Sequence, residues 1–417
     1  MKSLIKFVFF IALMSSLVIL ISCLKKDSNV LPNPANPVKI TIEGYQQEVI
    51  DSANRFAFDL FKPILAAASE TENIMISPFS ISSALSMTLN GASNETFDAM
   101  KKSLALKDKT LEQINETYLK LMTEMVTVDK SVVLDVANSV WVDKQLNVKQ
   151  AFITDLKKWY NSEARNIDVT DPNAVGIVND WIASKTQDKI TDMLDKFDSG
   201  AAMLLINAIY FNGKWSYEFD KSETKDEPFY VTSSGSITVP MMHIIHNLKV
   251  IRSNSFSIVE IPYGQGNYSM VVVLPDENLS ASDLANVLTP SMWQDWMGSL
   301  ADSTREVMLS MPRFKFNYKR LLNQDLINLG MGIAFSNQAD FSNISDQPLM
   351  ISKVLHQSFI DTNEEGTEAA AATVVEMLAG AAEPFAVNAN HPFLYFIRET
   401  STGTIIFMGK VSNPTNN

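Results

Sequence analysis

Cysteine is nearly absent from this chain of 417 residues, which contains only Cys23. A single cysteine excludes an internal disulfide, a cysteine-rich metal site and a thiol nucleophile in the folded body. Basic residues are also in the minority, because 34 Lys and Arg stand against 47 Asp and Glu and leave a formal charge of −13. Nucleic acids and anionic membrane surfaces attract clusters of Lys and Arg, so the composition predicts no nucleic-acid partner.

Sequence signatures of catalysis are missing as well. The chain contains no GxSxG, HExxH, Walker or GxGxxG pattern. His243 and His246 form an H-x-x-H pair that could bind a metal, but no third histidine is near. His356 has apolar neighbours, which favour a core position over a general base. A hydrolase using Ser77 or Ser80 with His356 would lack a matching acid, so we expect neither an enzyme nor a bound cofactor.

The N-terminal segment has the form of an export signal. Two lysines flank the start of an apolar run, Phe7 to Ile21, that is too short for a comfortable transmembrane helix. The sequence Leu20–Cys23 resembles a bacterial lipobox, in which the leader is cut before a cysteine that then receives lipid. We expect a signal peptide at 1–22 and a lipidated Cys23 with a flexible tether at 23–44, anchored at the bacterial outer membrane or cell surface. An ordinary cleaved signal would instead leave the protein secreted.

Residues 45–417 are expected to form a single domain, because no linker interrupts the chain between residues 45 and 413. Apolar spacing predicts helices at about 47–68, 111–126, 149–161, 174–194, 281–299 and 318–330. The run 203–211 is apolar on both parities, as expected for a central strand covered on both faces. Ser80 is expected to cap a helix that stops at Asn90-Gly91. Helices first and a strand-rich remainder later are typical of an α+β fold.

The segment from Asn363 to Pro384 has a two-residue repeat. Its odd positions from Thr367 to Met377 are small or apolar, and its charges fall on even positions, at Glu368 and Glu376. This alternation suits a strand with one buried face, although four consecutive alanines also favour a surface helix ending at Gly380. The segment is therefore either a loop able to enter a sheet or a surface amphipathic helix.

Motifs along the chain, from about Tyr45 to Pro414, resemble those of the serpin family. They are Asn73–Leu85, Gly91-Ala92 with Thr96, Ala137-Asn138 with Trp141, Asn207–Phe211 with Gly213 and Trp215, Thr224, Met241-Met242, Leu274-Pro275, Pro312–Phe314, Leu329–Met331 with Ala334-Phe335, Ala339–Ser342, Asn363–Thr373 and His391–Phe393. Their collinear order makes the resemblance specific. It implies a serpin fold with a large central, mostly antiparallel sheet, smaller sheets, eight to nine helices and an exposed reactive loop at about 364–385.

The resemblance also implies a suicide-substrate mechanism. A target protease would cut the loop, and the cut loop would enter the central sheet as a strand and trap the acyl-enzyme. The hinge of the loop would be Glu364, Glu365, Gly366, Thr367, Glu368, Ala369, Ala370, Ala371, Ala372 and Thr373. A charge or proline at an odd position from Thr367 to Met377 would stall insertion, and none is present, so the family pattern implies an inhibitor. The alternative is a non-inhibitory serpin-fold binding protein or protease decoy.

The family's usual hinge length, counted from Gly366, implies cleavage between Gly380 and Ala381. Cleavage next to Met377, Leu378 or Ala379 stays open. The small and aliphatic side chains suit an elastase-like serine protease, with chymotrypsin-like, subtilisin-like and cysteine proteases as further candidates. The loop has no basic residue, which argues against trypsin-like targets. Active members of the family are usually monomers.

Two further regions are implied by the resemblance alone. The first is a shutter, at which the sheet opens, formed by Ser77, Ser80, Asn207 and His356. The second is a breach near Trp215, at which the loop enters. By position, Arg313 should pair with Glu364 at the hinge of the loop.

Overall fold

The computed structural model describes residues 37–198, 200–232, 235–276, 278–367 and 383–416. The predicted signal peptide, Cys23, most of the tether and loop positions 368–382 lie outside these ranges. Among the residues that the structure describes, no helix is long and apolar enough to cross a membrane.

Nine α-helices lie in the described ranges, in agreement with the expected eight to nine. They are α1 (Gly44–Ala67), α2 (Pro78–Leu89), α3 (Asn94–Ser103), α4 (Leu111–Glu124), α5 (Gln150–Tyr160), α6 (Ala174–Lys185), α7 (Ala281–Val287), α8 (Pro290–Ala301) and α9 (Asn323–Leu326). Apolar spacing predicted α1, α4 and α5 to within a few residues. These helices each bury one side, as in α1, where Phe56, Leu60 and Ile64 are inaccessible to solvent.

Four helix predictions differ from the structure. The pattern at 281–299 holds two helices, α7 and α8, because Pro290 lacks the N–H that a continuous helix would use. The pattern at 318–330 begins as a strand, because Phe316 and Tyr318 bury alternate side chains in a strand that runs to Leu321, and the α-helix there is only α9.

The other two differences are helix boundaries. Ser77, rather than Ser80, caps α2, because its hydroxyl accepts the hydrogen bond from the Ser80 backbone N–H and Pro78 occupies the first helical position. The helix predicted to reach Leu194 ends at Lys185, because Gln187 and Asp188 have φ of 51° and 59°. That left-handed conformation cannot continue a right-handed helix.

Fifteen strands occur in the same described ranges. They are β1 (Ile74–Ile76), β2 (Val132–Asp143), β3 (Glu163–Ile167), β4 (Met203–Lys214), β5 (Lys225–Thr232), β6 (Gly235–Arg252), β7 (Phe256–Tyr263), β8 (Tyr268–Pro275), β9 (Thr304–Pro312), β10 (Phe314–Leu321), β11 (Lys353–Asn363), β12 (Gly366–Thr367), β13 (Phe385–Asn388), β14 (Phe393–Glu399) and β15 (Ile405–Val411). One sheet has the order β10-β11-β12-β4-β2-β3. The other has the order β1-β15-β14-β8-β7-β6-β9-β13, with β5 paired to β6.

The six-stranded sheet is closed along most of its length and split at one end. Over Lys353–Ser358, β11 pairs directly and in parallel with Leu204–Ile209 of β4. At the far end of the same two strands, the two-residue strand β12 lies between them and is antiparallel to both. The sheet therefore holds five long strands and the start of a sixth.

Each face of β4 is covered, as its apolar sequence predicts. Met203, Leu205, Ile209 and Phe211 contribute to the main core. Alternate residues, among them Leu204 and Tyr210, pack with Val178 and Trp181 of α6 in a second cluster. The core thus lies on both sides of the six-stranded sheet.

Candidate functional site

A chain of buried polar side chains crosses the closed part of the six-stranded sheet. His356 of β11 is the register partner of Asn207 of β4, and its Nδ1 lies 2.6 Å from Asn207 Oδ1. The Asn207 amide donates to Asn138 Oδ1 of β2 at 2.5 Å, and also to Ser80 Oγ. His356 Nε2 accepts a hydrogen bond of 3.2 Å from the backbone N–H of Ser77. The structure therefore brings the four predicted shutter residues together and adds Asn138.

His356 is neutral in this network. It is fully buried, and the loss of hydration lowers the pKa of its imidazole from 6.5 to about 3. The neutral ring donates through Nδ1 and accepts through Nε2. Ser77 Oγ donates to the Ile406 carbonyl at 2.7 Å. Ser77 and Ser80 both have no exposed surface. A hydrolase built on Ser77 or Ser80 with His356 is excluded, because no substrate can reach these atoms.

At the split end of the sheet, the first residues of the loop are already inside. Thr367 is 2% exposed, and its Oγ1 lies 3.1 Å from the Tyr263 hydroxyl. Gly366 has a φ of +142°, and a Cβ atom there would lie 2.2 Å from the Gly213 carbonyl oxygen. The left-handed φ and the close approach both require glycine at this position.

Trp215 packs beside this entrance. Its indole Nε1 donates to the Asn363 carbonyl at 2.9 Å, and its backbone N–H donates to the Glu365 carbonyl at 2.9 Å. Its ring stacks on Tyr263 with centroids 4.3 Å apart. Trp215, the predicted breach residue, therefore contacts the end of β11 through hydrogen bonds and Tyr263 through its ring.

Two buried glutamates precede β12, and each has a cation. Arg313 Nε lies 2.8 Å from both carboxylate oxygens of Glu364, which also accepts from Thr224 Oγ1. Burial by itself would raise the pKa of Glu364, but the hydrogen bonds from Arg313 and Thr224 hold that pKa below its usual value. Lys221 pairs with Glu365. The turn that leads into β12 is thus fixed by two ion pairs.

The H-x-x-H pair does not form a metal site. His243 and His246 are three residues apart in the regular pairing of β6 with β9, so their side chains point to opposite faces. His243 Nε2 lies 3.0 Å from Glu227 Oε1, and His246 stacks on Tyr217. Within the described ranges, no group of three or more His, Cys, Asp or Glu residues is placed to hold a metal ion.

The remaining predicted site residues lie outside the described ranges. They are Cys23, the hinge residues from Glu368 to Thr373 and the candidate cleavage positions Met377, Leu378, Ala379, Gly380 and Ala381. Two contributors at the entrance, Tyr263 and Lys221, were not predicted from the sequence. Their contacts join residues more than 100 positions apart. The only signals in the sequence are that Lys221 comes soon after Trp215 and that Tyr263 lies at the end of a strand.

Comparisons with known proteins agree with this architecture. A family model described as serpin (serine protease inhibitor) matches residues 51–414. An uncharacterized serpin-like protein of Methanosarcina acetivorans is 36% identical over 423 residues, covering 96% of this chain and 97% of its own. Human leukocyte elastase inhibitor is 34% identical over 381 residues, covering 88% and 100%.

Solved structures give the same result for the fold. The thermophilic serpin tengpin in its native state has a TM-score of 0.80 at 33% identity, covering 91% of this chain and 97% of its own. Human thyroxine-binding globulin in complex with thyroxine has a TM-score of 0.83 at 26% identity, covering 89% and 100%. The expected α+β serpin fold is confirmed, and this chain belongs to the serpin family of serine protease inhibitors.

Proposed function

We propose that this protein inhibits serine proteases by the serpin suicide-substrate mechanism. The observation that supports this most strongly is the half-open seam between β4 and β11. The two strands pair directly along most of their length, while Gly366 and Thr367 already lie between them at one end. A cut loop that continued β12 would replace one parallel ladder with two antiparallel ladders, which add hydrogen bonds and are more stable per residue. The closed sheet is then a stored state that proteolysis releases.

The register of β12 supports this proposal in detail. Gly366 pairs with Lys214 and Thr367 with Gly213, so the same register continued would place Met377 opposite Met203, the first residue of β4. The two-residue repeat of the sequence ends at that same Met377. The segment from Gly366 to Met377 therefore has the length needed to fill the gap.

The side chains of that segment also match the two covered faces. Thr367 points to the main core, so period-two alternation would direct the other odd positions there too. Even positions would point to the face that α6 covers. Ala370, Ala372 and Val374 are the small or apolar even residues in the middle of the segment, whereas its charges, Glu368 and Glu376, fall near the ends.

We further propose cleavage between Gly380 and Ala381 by an elastase-like protease. The small and aliphatic residues from Met377 to Ala382 support this choice, with Met377, Leu378 and Ala379 as alternative positions of cleavage. The resemblance to a protein named leukocyte elastase inhibitor supports it as well. A cysteine protease with the same small-residue preference is a further candidate target.

Incubation with pancreatic or neutrophil elastase tests the mechanism. We expect a complex that survives SDS and heating, together with a released C-terminal peptide whose mass identifies the cut bond. A cleaved chain with fully active protease would instead indicate a decoy. The cut protein should also melt well above the intact one, because the inserted strand completes the sheet.

For the N-terminus we propose export, cleavage after Ser22 and lipid attachment at Cys23, with the inhibitor a monomer on a bacterial outer membrane or cell surface. This rests on the lipobox-like sequence alone, because the relatives named above are archaeal and human. Metabolic labelling with an alkyne fatty acid tests it. The wild type should carry label and sediment with membranes, and label on a Cys23→Ser variant would refute the assignment.

A further inference from the structure

Two arginines lie against the aromatic ring that begins β13. Phe385 is the first residue of that strand, and the guanidinium carbons of Arg252 and Arg305 are 4.4 and 4.8 Å from its ring centroid. Arg252 also donates to the Ala386 carbonyl at 3.0 Å and to Ser257 Oγ at 3.1 Å. The ring thus holds two exposed cations together, a cluster that we call the Arg252–Phe385–Arg305 cluster.

These cations lack a carboxylate partner among the residues that the structure describes. Arg165, Arg313, Arg320 and Arg398 each pair with a carboxylate there, whereas no such ion pair involves Arg252 or Arg305. Two carboxylates are near in sequence: Glu306 follows Arg305 directly but points to the opposite face of β9, and the exposed Glu383 comes two residues before Phe385 without an ion pair to either arginine in the described ranges. In a chain with a formal charge of −13, two adjacent uncompensated cations form a local positive field that opposes the average surface.

Chain length limits the distance between this cluster and the proposed cut bond, so the inference rests on the proposed function. Phe385 comes four residues after Ala381, and an extended chain spans at most ~3.6 Å per residue, so the two positions are within about 14 Å. A protease domain of about 200 residues has a radius of gyration of about 16 Å. A protease bound at the Gly380–Ala381 bond is therefore large enough to reach the cluster.

We propose that the Arg252–Phe385–Arg305 cluster is a second docking surface for the target protease. The matching partner is a protease with acidic side chains beside the part of its cleft that receives residues after the cut bond. Opposite charges at this contact would raise the association rate by electrostatic steering. The charges that flank the proposed cut bond, Glu376 and Glu383, are both acidic, so the cluster supplies the positive charge by which this surface selects among proteases of similar pocket preference.

The test compares Arg252→Gln/Arg305→Gln with Lys102→Gln/Lys107→Gln, which removes the same charge from an exposed site elsewhere. The probes are pancreatic elastase and the same enzyme succinylated on its surface lysines, which makes it acidic. The readout is the second-order rate at which intact inhibitor is consumed, counted whether the enzyme is trapped or released. An Arg252→Lys/Arg305→Lys variant keeps the charge and controls for loss of the planar stack.

We expect succinylated elastase to consume the wild type about 3 to 10 times faster than the arginine-to-glutamine variant at low salt, with the gap closing below about twofold near 0.5 M NaCl. The lysine-to-glutamine control and the arginine-to-lysine variant should follow the wild type. Equal loss in the control, or no loss in the arginine variant, would overturn the proposal. So would a wild-type affinity for immobilised heparin that the arginine variant loses without any change in protease rate.

Failure of the proposed inhibition would give a different result. Consumption without covalent complex, but with the same charge dependence, would refute trapping and leave the docking surface in place. If the glutamine variant melted below the wild type, the two probes would still decide: a loss of rate with succinylated elastase alone would show that charge sets the rate, and an equal loss with unmodified elastase would refute it.

Discussion

His356 Nδ1 and Asn207 Oδ1 lie 2.6 Å apart across the direct pairing of β11 with β4. A strand inserted between β11 and β4 must break this hydrogen bond. The register of β12, continued through the gap, would place Thr373 between these two residues. In the inserted form its hydroxyl group would then replace the contact that insertion removes.

The first prediction concerns Thr373→Val, which keeps the shape of the side chain and removes the hydroxyl. Without the hydroxyl, His356 or Asn207 would be buried without a hydrogen-bond partner, which should lower the stability of the cleaved form by about 1–3 kcal/mol. We expect a lower guanidinium midpoint for the cleaved inhibitor and an unchanged midpoint for the intact one. Ala372→Ser, on the opposite face, is the control. Equal shifts in the intact and cleaved forms would contradict the assignment.

The second prediction is that the free energy of unfolding of the native form falls as the pH is lowered below 6.5. Burial lowers the pKa of His356 from 6.5 to about 3, so below pH 6.5 the unfolded chain binds a proton that the folded one does not. The contribution of His356 is complete above pH 6.5 and falls by up to about 1.4 kcal/mol per pH unit toward pH 3. Urea unfolding of wild type and His356→Gln at pH 7 and 5 measures it. The variant should lose about 2 kcal/mol less than wild type over that interval, and parallel losses would refute it.

The third prediction is that Thr367→Arg turns the inhibitor into a substrate. Thr367 is buried against Tyr263, so a charged residue there would stall strand entry at its first step. The yield of SDS-stable complex with elastase should fall to a small fraction, while the rate of loop cleavage stays near wild type. Glu368→Arg, at an even position, should retain complex formation. An unchanged yield for Thr367→Arg would count against strand insertion.

The fourth prediction concerns Arg313→Gln. The change leaves the Glu364 carboxylate buried without its cation and should destabilise the native form by about 1–3 kcal/mol at pH 7, a discounted range because Arg313 is partly exposed. The pKa of Glu364 is lowered in the fold, so the contribution of the pair is present above about pH 4.5 and is lost as pH falls through the folded value. Unfolding at a pH well below 4.5 should therefore show a smaller difference than at pH 7. Arg165→Gln is a surface ion-pair control and should have little effect at either pH.

Much of the fold could be predicted from periodicity, because β4 and α1 carry long and regular apolar patterns. Asn207 interrupts the apolar run of β4, where a buried amide needs hydrogen-bond partners, and the structure supplies them. The early end of α6 could not be predicted, because Gln187 and Asp188 adopt left-handed conformations without being glycine. Pro78 at the first helical position was a signal that pointed to Ser77 as the cap.

The candidate site was less accessible to sequence reasoning alone. The Arg313–Glu364 contact was expected only by resemblance to a family, because nothing local links two residues 51 positions apart. Tyr263 and Lys221 were missed for the same reason. Long-range partners of this kind depend on how strands are ordered in a sheet, and period-two patterns do not record that order.

Gly366 leaves no room for one further carbon atom, since its Cβ would meet the carbonyl of Gly213. Gly366→Ala would therefore keep the start of the loop outside the sheet while the cut bond and its surroundings stay as they are. Such a protein should be recognised and cut at the normal rate and then release an active enzyme, with no rise in heat resistance after cutting. A single methyl group would then convert an inhibitor that traps the protease into a substrate that the protease cuts and leaves.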